Sequence, residues 1–269
     1  MKQNNNLKTI LLDMDGVLWQ GSKPVLEIGL LFDRIQKLRV QAFCVTNNST
    51  RSVSYHLDKL KGFGVTLDPS RIITSAEATA EYMEVKFPNR GNLFVIGESG
   101  IRDALERSGF QILDTGSAQE VIAVVIGLDL ELTYRDLDLA VGYLQLGAYF
   151  VGTNPDLTIP TPTGTAPGAG AIIRGVELSS GKKAHIIGKP HPGLYSLALA
   201  RAKSLPEETL MIGDRLETDI LGAQQMGIKT ALVLTGIANM EQAAAWDPKP
   251  DIIAINALQV LDQIRNSDE

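Results

Sequence analysis

The sequence predicts an α/β protein: a Rossmann-like core with a parallel sheet, interrupted by a second, inserted α/β domain. Three observations predict it. Short β-rich runs alternate with amphipathic stretches along the chain, the rhythm of strand–helix–strand units. That rhythm recurs on a smaller scale in the middle and returns to its first form in the last third. The chain has 269 residues, which suits one large domain or two smaller ones.

In chain order, 9–12, 41–46 and 71–74 read as strands, with helical periodicity over 29–37 and 52–61 between them. In the middle, 92–96, 121–126 and 148–151 read as strands, and 100–108 and 133–146 as helices. A Pro/Gly/Thr-rich segment, 153–170, follows and reads as a functional loop running into a helix. The segment 184–187 reads as a return to the core. Strands at 210–212, 230–234 and 251–254 and a helix at 219–226 complete it. The expected division is 1–80 and 183–269 for the core and 81–182 for the insertion.

Composition narrows the function classes. Hydrophobic residues make up 44% and charged residues 21%, with a formal net charge of −6. An acidic chain without basic blocks is a poor nucleic-acid binder. A small anionic substrate stays open, because one bound cation overrides the net field locally. The N-terminal run Ile10-Leu11-Leu12 is too short for a signal h-region, and no segment has transmembrane length. The chain therefore reads as cytoplasmic. The single cysteine, Cys44, lies in the apolar run Ala42-Phe43-Cys44-Val45 and reads as core filling.

In an open parallel sheet, ligands lie at the carboxyl ends of the strands. Asp13 and Asp15 follow the first strand, and Thr46-Asn47-Asn48-Ser49 the second. Gly188-Lys189-Pro190 follows 184–187. Gly213-Asp214 follows 210–212, with Asp219 one helical turn on. These residue types suit phosphoryl transfer. The Asp13 and Asp214 carboxylates and the Asp15 backbone carbonyl could hold Mg²⁺, which favours a few carboxylates, waters and substrate phosphate. Asp13 can attack phosphorus and form an aspartyl phosphate. Asp15, past a bend that Gly16 permits, can protonate the leaving alcohol and then take a proton from water. Lys189 offers a compact positive charge to the phosphoryl oxygens. Thr46 and Asn47 offer donors to the phosphate ahead of the helix that Ser52 opens. Asp219 suits an outer role, holding Lys189 or a metal-bound water.

The motifs DMDGVLW, TNNS, GKP and GDRLETD, in this order, resemble the four motifs of the haloacid dehalogenase superfamily. The Trp19 that closes the first motif, the NNS of the second and the closing PDIIAINALQVL resemble the branch of NagD and the 4-nitrophenylphosphatases. This resemblance covers nearly the full length. It implies a large α/β cap between the second and third motifs. It also implies roles of nucleophile, acid/base, phosphate-binding lysine and metal ligand for Asp13, Asp15, Lys189 and Asp214. The expected enzyme is a Mg²⁺-dependent phosphatase of small phosphorylated metabolites, with pairing of copies through the cap carried by the resemblance alone. A dehalogenase is disfavoured because Asp15 is present, and a transport ATPase because it puts Thr at that position and needs membrane helices. A phosphomutase keeps both acids and stays open. A non-catalytic metabolite-binding protein would have no use for a nucleophile.

Other features read as structural. Gly168-Ala169-Gly170 lacks the third glycine of a dinucleotide fingerprint, since Ile173 holds that place. There is no GxxxxGK[ST] loop. His56, His185 and His191 have no metalloprotease spacing, and His191 stands nearest the proposed crevice in sequence. In the expected cap, Thr153, Asn154 and Asp156 are the candidates to read the leaving group.

Overall fold

The computed structural model describes residues 7–113, 120–161 and 164–266. The chain opens with β1 (Thr9–Leu12), a small pair β2 (Trp19–Gln20) and β3 (Lys23–Pro24), and helix α1 (Ile28–Lys37). Then come β4 (Gln41–Thr46), α2 (Val53–Gly62), β5 (Ile72–Thr74) and α3 (Ser75–Lys86). The middle holds β6 (Asn92–Ile96), α4 (Ser99–Arg107), β7 (Gln111–Ile112), β8 (Ala123–Ile126), α5 (Tyr134–Gln145) and β9 (Tyr149–Gly152). It continues with β10 (Thr158–Thr161), β11 (Gly164–Pro167), α6 (Ala169–Ser180) and β12 (His185–Ile186). The last third holds α7 (Pro192–Ala202), β13 (Thr209–Gly213), a π-helical turn Leu216–Ile220 and α8 (Leu221–Gln225). It ends with β14 (Lys229–Val233), α9 (Met240–Ala245), β15 (Ile252–Ala254) and α10 (Ala257–Asn266).

Contacts divide the chain into two compact units. The first holds the described residues of Met1–Thr46, His56–Ile73 and Tyr195–Glu269; the second holds those of Asn47–Tyr55 and Thr74–Leu194.

The first unit is built on a six-stranded sheet in the order β15-β14-β13-β1-β4-β5. Its paired strands run parallel, with Leu11 opposite both Met211 and Phe43. Ile10, Leu11 and Leu12 are all fully buried, which explains why β1 is continuously apolar rather than alternating: both faces of the sheet are covered. From β1 the chain proceeds outward through β4 and β5 on one side and, later, through β13, β14 and β15 on the other. The order therefore reverses between β1 and β13, and that is where such a sheet opens a crevice at its carboxyl edge.

The second unit carries a five-stranded parallel sheet in the order β12-β9-β8-β6-β7. Phe94, Ile96, Val124, Ile126, Phe150 and Ile173 belong to its core. Thr133 and Asp136 form a reciprocal cap that starts α5.

Several elements differ from the sequence expectation, among them helices α7, α9 and α10, which were not read at all. The strand expected to return to the core at 184–187 is β12, and it pairs with β9 in the second sheet, His185 opposite Val151. A two-residue strand carries no pattern that names its partner. The segment 153–170 contains the antiparallel hairpin β10–β11. Helix α3 was not expected, because it buries small residues (Ser75, Ala76, Ala78, Thr79, Ala80) and shows no apolar stripe. Against an insertion over 81–182, the second unit begins at Thr74, reaches Leu194 and also takes in Asn47–Tyr55. No described helix is long and apolar enough to cross a membrane.

Candidate active site

β1 and β13 are neighbours, and each is followed by an acid. The Asp13 N–H donates to Ile212 O at 2.9 Å, so the ladder with β13 continues one residue past β1. Asp13 is buried, at 8% exposure, and Asp214 is buried too, at 4%. The Ile237 N–H donates to Asp214 Oδ2 at 2.8 Å and fixes that carboxylate. Asp219 comes from the π-helical turn Leu216–Ile220. Its Oδ2 accepts from the Arg215 N–H at 3.1 Å, while its backbone carbonyl accepts from the Tyr195 hydroxyl at 2.9 Å. Burial pushes the Tyr195 hydroxyl well above its ordinary pKa, and the carboxylates of Asp219 and then Asp13 push it further, so it stays a neutral donor.

One carboxylate oxygen from each of Asp13, Asp214 and Asp219 lies within 4.8 Å of the other two. Three buried anions at this spacing repel one another unless a cation sits among them. The donor set is all oxygen, which suits a hard divalent ion such as Mg²⁺. Glycines make the room. A Cβ at Gly16 would lie 2.3 Å from Asp214 Oδ2, and one at Gly213 would lie 2.2 Å from Asp219 Cβ. Gly16 also has φ +88°, a left-handed conformation that side chains disfavour. The residues present thus fit the metal that the sequence implies. Asp219, expected in an outer position, stands in the trio itself. Asp15 was expected to contribute its carbonyl, and its side chain is not part of the trio.

Asp15 sits on the turn after Asp13 and is exposed. Its Oδ1 accepts from the Trp19 indole N–H at 3.1 Å. The turn is tied by the Gly16 N–H donating to Trp19 O at 2.7 Å and by the Thr235 hydroxyl donating to Gly16 O at 2.5 Å. Thr46 closes β4 and is buried, two residues past Cys44, which pairs with Leu12.

The second unit brings together the remaining expected residues. Lys189 is 2% exposed, rare for a lysine. Asn47 holds its backbone on both sides: Oδ1 accepts from the Lys189 N–H at 2.8 Å, and Nδ2 donates to Lys189 O at 3.0 Å. The second amide hydrogen of Asn47 goes to Asp156 Oδ2 at 3.2 Å. Asn154 Nδ2 donates to Asn47 O at 2.9 Å, while Asn154 Oδ1 accepts from the Asp156 N–H at 3.1 Å. The Thr153 hydroxyl donates to Ser49 Oγ at 3.2 Å. Gly188 allows this closeness, since a Cβ there would lie 2.6 Å from Thr153 O. Thr153, Asn154 and Asp156 therefore pack on the Asn47 loop and, through it, on Lys189.

Sequence reasoning missed Trp19 as a partner of Asp15. The spacing of four residues across a tight bend was the available signal. It also missed Gly236, whose Cβ would lie 1.8 Å from Asp214 Oδ2; nothing local in the sequence marks it.

Residues 10–111 match the model of haloacid dehalogenase-like hydrolases, and residues 186–260 match a second, HAD-hydrolase-like model. The chain is 34% identical over 245 residues to an acid sugar phosphatase of Staphylococcus haemolyticus, covering 91% of this chain and 92% of the relative. A 4-nitrophenylphosphatase of Thermotoga maritima superposes with a TM-score of 0.89 at 29% identity, covering 97% of this chain and 98% of that one. NagD of Escherichia coli superposes with a TM-score of 0.84 at 28% identity, covering 93% and 97%.

Proposed function

The chain belongs to the haloacid dehalogenase-like hydrolases, as a phosphatase of the NagD and nitrophenylphosphatase branch, and from that premise we propose that it hydrolyses phosphate monoesters of small metabolites through an aspartyl phosphate, with Mg²⁺ bound. The observation that carries this reading is the trio of buried carboxylates at the reversal of strand order, with an exposed acid two residues after Asp13. The relatives named acid sugar phosphatase make sugar phosphates the first substrates to try.

In this reading an Asp13 carboxylate oxygen attacks phosphorus, and the bond to the ester oxygen breaks. Asp15 delivers its proton to that oxygen, so the alcohol leaves neutral. Asp15 then accepts a proton from the water that attacks the phosphoryl-aspartate. Lys189 binds the phosphoryl oxygens with Thr46 and the backbone N–H of Asn47, since both side-chain amide hydrogens of Asn47 are already engaged. The Asp13 and Asp214 carboxylates and the Asp15 carbonyl would hold Mg²⁺, with Asp219 beside them. The ion, when bound, supplies the positive charge that lets an anionic nucleophile approach an anionic phosphate.

The test is hydrolysis of p-nitrophenyl phosphate and a panel of sugar phosphates by wild type and Asp13→Asn, with and without Mg²⁺. Turnover that requires the metal and falls to background in the variant is expected. Undiminished turnover by Asp13→Asn would remove the nucleophile and the mechanism with it.

A further inference from the structure

We infer that Trp19 is a positioning residue for this reaction: its indole N–H fixes the Asp15 carboxyl in the orientation that protonates the leaving group. The inference rests on the reading of Asp15 as general acid. An exposed aspartate ordinarily samples several rotamers. Here the neighbouring side chain is buried, with Trp19 at 1% exposure, and its one polar atom donates to Asp15 Oδ1 at 3.1 Å.

The indole is itself held. Its ring stacks on Phe63 with centroids 6.2 Å apart and planes at 22°. Lys59 Nζ lies 3.8 Å from the ring centroid and donates to Gly21 O at 2.8 Å. The backbone closes the same turn, because the Trp19 N–H donates to Met14 O at 3.3 Å. A cation over an indole face is attracted by the ring quadrupole, and it polarises the N–H toward an acceptor. Partial burial pulls the Lys59 ammonium below its ordinary pKa, while the Asp15 carboxylate pushes it back up. Lys59, Trp19 and Asp15 thus form one chain of charge, ring and acid.

The chemical consequence concerns which oxygen carries the proton. In the neutral carboxylic acid, the carbonyl-type oxygen is the better acceptor. An indole N–H on Oδ1 therefore places the acid proton on Oδ2. When the bond from phosphorus to the ester oxygen breaks and the bond to Asp13 forms, that proton moves from Oδ2 to the departing oxygen. Removing the N–H leaves the acid in place and deletes the contact that assigns its proton to Oδ2.

A buried tryptophan could also do no more than fill space, and leaving-group selectivity separates the two roles. Phenyl phosphate and p-nitrophenyl phosphate present nearly the same ring. Phenolate needs a proton to leave, and p-nitrophenolate needs it far less. The experiment measures kcat/KM on both esters for wild type, Trp19→Phe and Asp15→Asn. Trp19→Phe keeps an aromatic ring, though a smaller one, and deletes the donor. It is expected to lose about tenfold more on phenyl phosphate than on p-nitrophenyl phosphate, part of the full general-acid contribution. Asp15→Asn is expected to show a larger loss of the same kind.

Equal losses on both esters in Trp19→Phe, beside a selective loss in Asp15→Asn, overturn the inference and leave the acid role standing. Equal losses in Asp15→Asn overturn the acid role itself. Should Trp19→Phe fail to fold, benzothienylalanine placed at position 19 has the shape of tryptophan without the N–H, and the same two outcomes decide.

Discussion

A methyl group built on Gly236 would lie 1.8 Å from Asp214 Oδ2, closer than any non-bonded contact allows. Asp214 cannot yield without cost, because the Ile237 N–H holds the same oxygen at 2.8 Å. Gly236→Ala is therefore expected to displace the carboxylate from the trio and weaken metal binding. The Mg²⁺ concentration for half-maximal activity should rise by about tenfold, equivalent to about 1.4 kcal/mol. A metal titration of activity checks this, and an unchanged midpoint would show that Asp214 does not bind the ion. At this scale the sequence was informative where chemistry clusters along the chain. Asp13 and Asp15 declare themselves by interrupting an apolar run. Asp219 joined the trio only because a π-helical turn, invisible in periodicity, carries it back toward Gly213. Gly236 is legible only when Asp214, more than one strand away, is in view.

Among the elements, the loop after β9 shows how a local reading can single out residues and leave their task open. Thr153, Asn154 and Asp156 stood out as polar residues at a strand end. The structure shows Asn154 and Asp156 gripping Asn47, which in turn grips both backbone groups of Lys189. Those contacts join positions more than a hundred residues apart, so spacing could not reveal them. They do separate two tasks. If Asn154 steadies the loops proposed to bind phosphate, Asn154→Ala should weaken the binding of inorganic phosphate, which has no leaving group. Its inhibition constant is expected to rise by about tenfold, alongside about 1–3 kcal/mol of lost stability from the buried hydrogen bonds. If Asn154 reads the leaving group, inhibition by phosphate stays as in wild type, and only the ranking of esters changes. Competitive inhibition by phosphate decides between them. The strand His185–Ile186 carries the same lesson. Its existence was readable from Ile186 and Ile187, and its place in the second sheet was not, because a pair of apolar residues fits either sheet.

For the whole molecule, the alternation of strands and helices was enough to read a parallel α/β core and an inserted α/β domain. That reading set the expected boundaries at 80 and 182, whereas the points at which the chain passes between its two compact units depend on distant contacts that spacing does not carry. The division gives the first unit its own reporters and the acidic trio together. Cys44 lies on β4 of that unit and is fully buried. Burial and, secondarily, the Asp13 carboxylate push its thiol up to about 12, so almost none of it is thiolate at neutral pH. A thiol reagent should then modify the native protein only when the first unit opens. Mg²⁺ that binds the folded trio and not the open chain must shift that opening by mass action. At about a hundred times its dissociation constant it adds about 2.7 kcal/mol, so labelling should slow by about a hundredfold wherever reclosing outpaces the reagent. The protection must disappear in Asp214→Asn, which keeps the fold's volume and removes one anion of the trio. Labelling of wild type that ignores Mg²⁺ would mean that the three carboxylates hold no ion in solution. Protection that persists in Asp214→Asn would place the ion elsewhere in the molecule. Because Cys44 is the chain's single cysteine, the measurement needs no background variant, and it reads metal binding without any substrate turning over.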